Sequence, residues 1–141
     1  MPNDSLAFAQ QVLDAQPFNQ LVEAQLTAFE DGHATLELTV EERHRQQFGL
    51  VHGGVLSYLA DNVLTFACGT VLGPSVVTGG FTISYLQGAR EGILRASATV
   101  QHHNSRLAAA TAEIVLHEPD GSERLCAIAQ GSVLSTSKNP D

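Results

Sequence analysis

The chain has 141 residues, 43% of them hydrophobic, and this length and composition suit one domain with a substantial core. Its 15 acidic and 7 basic residues give a net charge of −8 at pH 7. Because nucleic-acid binding requires a basic face, this balance argues against a nucleic-acid partner. Residues 1–141 are therefore interpreted as a single domain with no nucleic-acid partner.

The N-terminal sequence MPNDSLAFAQQ has neither a basic leader nor an apolar core region, so it predicts no secretory signal. No apolar run is expected to reach the length that a membrane-spanning helix requires. We therefore expect a cytoplasmic protein with no membrane partner. Cys68 and Cys126 lie within apolar stretches, which predicts buried free thiols and not a disulfide.

The first 40 residues predict a helix followed by two strands. The N-terminal helix lies within residues 1–16, where apolar side chains recur at helical spacing, and Pro17 ends it. Residues 21–29 mix polar and apolar side chains as a half-buried strand does, and residues 34–40 alternate cleanly. Asp31-Gly32 between these two stretches is a strong hairpin signal.

The longest predicted helix begins at the glycine pair that follows His52 and ends near Gly73. Its apolar side chains, counted in steps of about 100° per residue, form one stripe that requires a core. They are Leu56, Leu59, Ala60, Val63 and Ala67, with Leu64 at the edge. Asp61 lies off this stripe, on a flank that it shares with Ser57 and Thr65.

Four strands are predicted after this helix, because the sequence alternates or carries β-branched residues in four stretches. They are residues 76–86, 92–102, 106–118 and 123–135. The alanines of the third stretch also suit a helix, but the alternation continues through Thr111 and Glu113 and favours a strand. Residues 136–141 are predicted to be a flexible tail. The expected fold class is α+β, with a curled antiparallel sheet wrapped around one long central helix.

The central helix suggests a hydrolytic site, since its N-terminus can polarise a carbonyl group and its carboxylate can activate water. Gly53 and Asp61 are separated by eight positions, which is about 12 Å along a helix axis. Both residues cannot act on one bond from the same helix. Two antiparallel copies of the helix would bring Gly53 of one protomer to Asp61 of the partner subunit. The sequence therefore predicts that the site requires a homodimer.

The segment HGGVLSYLAD, His52–Asp61, and the order of helices and strands resemble the hotdog-fold acyl-CoA thioesterases. The most similar group is their phenylacetyl-CoA thioesterase-like (PaaI-like) branch, within the 4-hydroxybenzoyl-CoA thioesterase superfamily. The HGG motif with an acid at this distance is fairly specific, whereas the strand pattern alone is weakly specific. The resemblance covers the chain from about the second strand to the end. It implies a hotdog fold and hydrolysis of an aryl-acyl-CoA or a short- to medium-chain acyl-CoA. It also implies a homodimer or a dimer of dimers, and no cofactor, because coenzyme A is part of the substrate.

The resemblance also implies roles for individual residues. The backbone N–H at the position of Gly53 polarises the thioester carbonyl, and the acid at the position of Asp61, from the other subunit, activates water or attacks directly. A Ser or Thr on the next strand helps to place the water, and Thr78 has that position here. Gln46 stands where the family has an asparagine, six residues before His52, and keeps an amide. His52 itself is assigned to helix entry, with proton transfer as the alternative.

The family binds the CoA nucleotide near the turn between the second and third strands after the helix, and Tyr85 is expected near that turn. Arg106 in the turn suits a bidentate phosphate contact. The substrate-binding residues implied in this way are Gly54, Tyr85, His103, Asn104, Ser105 and Arg106. The acyl group is not readable from the sequence, and its pocket is expected near Phe48, Leu50, Tyr58 and Leu86.

Two other functions stay open at this point. One is a hotdog module that binds acyl-CoA without turnover. The other is a hotdog hydratase or dehydratase, although the Asp-x(4)-His pair and the His-Phe-Pro segment of those relatives are absent. A metal site is not expected, since the adjacent His102 and His103 would point to opposite faces of a strand. A serine nucleophile is unsupported, because the sequence has no Gly-x-Ser-x-Gly motif.

Overall fold

The computed structural model describes residues 2–137, which form helices and strands in the order that the sequence predicts, with one additional helix. The helices are α1 (Pro2–Asp14), α2 (Pro17–Val22) and α3 (Gly53–Leu72). The strands are β1 (Gln25–Glu30), β2 (His33–Thr39), β3 (Val76–Tyr85), β4 (Ile93–His103), β5 (Leu107–His117) and β6 (Glu123–Ser135). A short 3-10 helix spans Glu42–His44. Residues 138–141 of the predicted tail lie outside the described residues.

The six strands form one antiparallel sheet in the order β1-β2-β4-β5-β6-β3, and α3 packs against one face of it. The predicted apolar stripe of α3 is buried in this interface, and Phe66 and Cys68 are buried with it. Every second residue of β5, from Ala108 to Leu116, is buried, so the alanine-rich stretch is a strand as expected. Its small inward side chains allow α3 to lie close to the sheet. The predicted α+β fold class is confirmed.

Helix α2 is the element that the sequence pattern does not predict. Pro17 follows the end of α1 and also opens α2, because a proline at the first helical position loses no helical hydrogen bond. The Asn19 side chain closes the helix by exchanging two hydrogen bonds with the backbone of Ala24. The first strand therefore begins at Gln25, and the prediction of a strand from residue 21 is wrong.

Helix α3 is long and apolar enough to cross a membrane by length and composition alone. The expectation that no run reaches that length is therefore wrong. In this fold the apolar composition has another explanation, since Leu59, Ala60 and Val63 of α3 have no accessible surface. The absence of a membrane partner stays a prediction.

Both cysteines are free and buried, as the sequence predicts. Cys68 lies on the buried side of α3 and Cys126 on β6. Burial raises the pKa of the Cys68 thiol to about 11 and raises the pKa of Cys126 as well. Because the thiolate is the reactive form, neither side chain has the properties of a nucleophile at neutral pH.

Strand β3 forms one edge of the sheet and pairs only with β6 among the described strands. Its sequence, VVTGGFTISY, contains no charged residue and no proline. Natural edge strands usually carry such residues, or are covered, because an open edge can pair with another chain. Tyr85 at its end is 53% exposed. This edge is therefore suited to pairing with a second strand.

Candidate active site

The loop before α3 is shaped by Gln46. Its side-chain oxygen Oε1 accepts hydrogen bonds from the backbone N–H of Phe48 at 2.5 Å and of Leu50 at 3.3 Å. Its backbone N–H donates to the carbonyl of Leu50 at 2.7 Å. In one chain, therefore, the amide of Gln46 is used to close the loop that leads to the helix.

Arg90, which lies in the segment between β3 and β4, stabilises this loop. Its Nη1 donates to the carbonyl of Phe48 at 3.2 Å, and its own carbonyl accepts from Nε of Arg45 at 2.8 Å. Arg45 and Arg90 are two of the seven basic residues of the chain. The structure places them beside the loop that leads to the N-terminus of α3, where they add positive charge.

His52 is the N-cap of α3. Its Nδ1 accepts a hydrogen bond from the N–H of Gly54 at 2.7 Å, and its backbone N–H donates to the carbonyl of His44 at 2.8 Å. Because Nδ1 accepts, the proton of the neutral ring sits on Nε2. The imidazole therefore caps the N-terminus of the helix, which is the helix-entry role.

Gly53 presents the free backbone donor of the first helical turn. The N–H of Gly54 is taken by His52, and the N–H of Val55 donates to the carbonyl of His52. Within residues 2–137 the N–H of Gly53 has no acceptor. The positive end of the helix dipole lies at the same place. This combination suits an oxygen atom that gains negative charge.

The ring of Tyr85 lies directly against Gly53. Its hydroxyl donates to the carbonyl of Gly53 at 3.1 Å and lies 2.6 Å from the hydroxyl of Ser57. A Cβ atom at position 53 would lie 3.4 Å from Cζ of this ring. The ring therefore lies within ordinary van der Waals distance of the first helical turn.

Asp61 lies about two turns further along α3 than Gly53, and its carboxylate contacts β3. The hydroxyl of Thr78 donates to Oδ1 of Asp61 at 2.5 Å. No donor among the described residues contacts the other oxygen, Oδ2. Asp61 is half-buried. One oxygen is thus fixed and the other is available to accept a proton from water.

Thr65 is a member of this cluster that the sequence reasoning left without a role. Its hydroxyl donates to the backbone carbonyl of Asp61 at 2.8 Å and lies 2.9 Å from the hydroxyl of Thr78. The sequence contains the signal for this contact, because Asp61 and Thr65 are four residues apart and therefore share a face of the helix. Two threonine hydroxyls therefore lie beside the carboxylate, where they can also hold a water molecule.

Gly53 and Asp61 contact different parts of β3, since Gly53 lies against Tyr85 and Asp61 against Thr78. The two residues are about 12 Å apart along α3. One chain therefore contains two half-sites, a donor and a carboxylate, and does not bring them onto one bond. That a complete site needs a second protomer stays a prediction.

The turn between β4 and β5 is closed by Asn104, whose Oδ1 accepts from the N–H groups of Arg106 and Leu107 at 2.8 and 2.9 Å. The side chains of His103, Ser105 and Arg106 are exposed there. They could contact a ligand, whereas the side-chain oxygen of Asn104 is used by the turn.

Tyr85 does not lie near this turn within one chain. Tyr85 pairs with Ala127 on β6, whereas Leu107, next to the turn, pairs with Leu134. The two partners on β6 are seven positions apart, or about 23 Å at the rise of a strand. The expectation that Tyr85 and the turn are neighbours is wrong, because β3 and β5 place them at opposite ends of the sheet.

The residues expected to line an acyl pocket divide into two groups. Phe48, 71% exposed, and Leu86, 49% exposed, have open side chains, and half-buried Leu50 packs beside Gly88. Tyr58 instead packs edge-on against Phe18, and its hydroxyl donates to Asn19 at 2.7 Å. Burial raises the pKa of Tyr58 to about 12. Tyr58 is therefore a contact between α3 and α2.

Comparisons with known proteins also identify thioesterases as relatives of this chain. A family model described as the thioesterase superfamily matches residues 48–122. A 1,4-dihydroxy-2-naphthoyl-CoA hydrolase of Listeria monocytogenes serotype 1/2a (strain 10403S) is 29% identical over 80 residues, which cover 55% of this chain and 65% of that protein.

Two solved structures are similar over nearly their whole length. A mutant of the phenylacetic acid degradation protein PaaI from Thermus thermophilus is 26% identical, with a TM-score of 0.75 over 85% of this chain and 99% of that chain. The E. coli PaaI protein from the phenylacetic acid degradation operon is 23% identical, with a TM-score of 0.82 over 96% of this chain and 94% of that chain. The second likeness shows the fold alone, and it confirms the hotdog architecture.

Proposed function

We propose that this chain, which belongs to the thioesterase superfamily, hydrolyses acyl-CoA thioesters to a free acid and coenzyme A. The observation that carries the proposal is the Asp61 carboxylate, fixed through Oδ1 by Thr78 and open at Oδ2, on the helix that begins with the free N–H of Gly53. A carboxylate and an oxyanion donor are the two groups that thioester hydrolysis requires.

The proposed reaction begins when the thioester carbonyl oxygen accepts a hydrogen bond from the N–H of Gly53. Oδ2 of Asp61 takes a proton from water, and the resulting hydroxide adds to the carbonyl carbon. The N–H group then stabilises the oxyanion of the tetrahedral intermediate. The intermediate collapses, the C–S bond breaks, and Asp61 returns its proton to the leaving CoA thiolate. Direct attack by Asp61, through an anhydride that water then hydrolyses, is the alternative chemistry for the same residues.

The proposed site lies between two protomers. Strand β3 offers an uncharged edge of ten residues, which is suited to pairing with its copy across a two-fold axis. Antiparallel copies of α3 would then bring Gly53 to Asp61 of the partner subunit, and each dimer would contain two sites. A dimer of such dimers is the assembly that the family suggests, and a cytoplasmic location remains a prediction.

The same two-fold arrangement suggests where the CoA nucleotide binds. In one chain the turn at 103–106 lies at the end of the sheet opposite Tyr85. An antiparallel partner reverses these ends, so its turn would approach Tyr85 and Gly53. We assign the phosphate contacts to Arg106 in that turn, because a guanidinium group binds phosphate through paired hydrogen bonds. A local contact of this kind is needed, since the net charge of −8 repels an anionic substrate.

Release of free CoA thiol from acetyl-, octanoyl- and phenylacetyl-CoA tests this proposal. We expect turnover that follows enzyme concentration with at least one of the three substrates. The buried Cys68 and Cys126 will add little background in a thiol assay. Absence of turnover, together with calorimetric binding of the same compounds, would contradict hydrolysis and favour the binding module.

A further inference from the structure

A groove of about 340 Å³ lies between α1 and α3. Its walls are mostly apolar and include Phe8, Val12, Phe66, Gly69, Pro74 and Val76. Within the described part of the chain, no charged residue lines it. Ligand-binding pockets of proteins commonly have volumes from about 300 Å³ upward and apolar walls. The groove therefore has the size and the character of a site for an uncharged apolar group.

Asp61 does not line the groove, but Thr65 connects the groove to the proposed catalytic carboxylate. Thr65 forms part of its wall, and the hydroxyl of Thr65 lies 2.9 Å from the hydroxyl of Thr78. Thr78 in turn donates to Oδ1 of Asp61. A molecule whose reacting carbon lies beside Asp61 can thus extend past Thr65 into the groove without leaving the protein surface.

The length of the groove favours a chain over a small group. The residues of α3 that line it run from Asn62 to Thr70, eight positions or about 12 Å along the helix. An acetyl group would fill only the first part of this path. A medium-length aliphatic chain would reach the far end at Pro74.

The apolar side chains on the α1 side of the groove have no described partner that covers them. Phe8 is 56% exposed and Val12 is 42% exposed, although both face the groove. Exposed apolar surface that forms a contiguous patch commonly marks a binding site. An apolar ligand in the groove would remove this surface from water.

We propose that the groove between α1 and α3 binds the acyl chain of the substrate, and that the preferred substrates carry medium-chain aliphatic acyl groups. The inference rests on the proposed hydrolysis at Asp61. It places the acyl chain beside the subunit that supplies the carboxylate, and not beside Phe48 and Leu86 at the helix N-terminus. The chain enters past Thr65 and lies against Phe66 and Val76.

Gly69 offers a test that leaves the catalytic groups untouched. It lines the groove, and a Cβ atom there meets no heavy atom within 4 Å. In Gly69→Leu the new side chain fills the groove, while the matched control Gly69→Ala adds one methyl group. Both changes improve helix propensity, by up to about 1 kcal/mol for alanine, so both variants should fold.

We expect Gly69→Leu to lower kcat/KM for decanoyl-CoA at least about 10-fold and to leave acetyl-CoA unaffected, since one or two methylenes in a tight pocket already change specificity by this factor. Gly69→Ala should keep most of the activity on decanoyl-CoA. Calorimetric titration with decanoate, which has no thioester bond, measures binding of the acyl chain without turnover. Wild type should bind it, and Gly69→Leu should bind it at least about 10-fold more weakly.

The kinetic and calorimetric measurements distinguish an incorrect acyl-chain site from an incorrect reaction. Equal chain-length profiles for wild type and Gly69→Leu would overturn the groove and leave hydrolysis standing. Decanoate binding that Gly69→Leu abolishes, in a protein that hydrolyses no thioester, would support the groove and overturn the proposed reaction. Absence of both decanoate binding and a chain-length effect would overturn the inference.

Discussion

Asp61→Asn is expected to lower kcat for thioester hydrolysis by about 10²- to 10⁴-fold, with a much smaller change in KM. The asparagine keeps a side-chain oxygen that can accept the hydrogen bond from Thr78, so the local packing is retained. It replaces the open oxygen Oδ2 with an NH₂ group, which cannot take a proton from water. Steady-state kinetics with the best CoA thioester measures this effect.

Asp14→Asn is the matched control, because it removes the same charge from an exposed position on α1. It should retain wild-type kcat, and both variants should melt near the wild-type temperature. A kcat for Asp61→Asn within a few-fold of wild type would contradict a catalytic role for this carboxylate. Labelling with ¹⁸O water in a single turnover would further separate water activation from direct attack, since only direct attack leaves the label in Asp61.

Gly53→Pro is expected to lower kcat by about 10²- to 10³-fold, the usual loss when one oxyanion donor is removed. Proline has no backbone N–H, and position 53 is the first residue of the helix, where proline is well tolerated. The preceding residue, His52, has φ −61° and ψ 136°, the extended conformation that a following proline requires. The substitution therefore removes the donor and is compatible with the backbone.

Gly53→Ala is its control. Its Cβ atom makes the same contact with the ring of Tyr85, at 3.4 Å, but the N–H group is kept. The alanine variant should lose much less activity than the proline variant. Equal losses would show that crowding against Tyr85, and not the missing donor, is the cause.

Much of the fold could be predicted because its periodic signals are strong. The stripe from Leu56 to Ala67 and the alternation in β2, β4, β5 and β6 each identify a buried face. Helix α2 could not be predicted in this way, since Pro17 both follows one helix and opens the next. Its closure by Asn19 and Ala24 depends on side-chain contacts that have no periodic pattern.

The candidate site was partly accessible from the sequence. The spacing of Gly53 and Asp61 indicated two groups that one helix cannot bring together, and the helix geometry keeps them apart. The sequence did not reveal that the ring of His52 occupies the N–H of Gly54 and so leaves the N–H of Gly53 free. Nor did it place Tyr85, whose position depends on which end of β3 meets the helix N-terminus.

The shared site is tested most directly by mixing two inactive variants. Asp61→Asn and Gly53→Pro chains, each with a different affinity tag, are co-expressed and purified through both tags. If each site combines Gly53 of one protomer with Asp61 of the partner subunit, the mixed dimer has one intact site of two and regains about half of the wild-type activity. The matched control pairs Asp61→Asn with the double variant Gly53→Pro/Asp61→Asn and should stay inactive. Activity of the mixed dimer no higher than that of the parent variants would contradict a site built from two protomers.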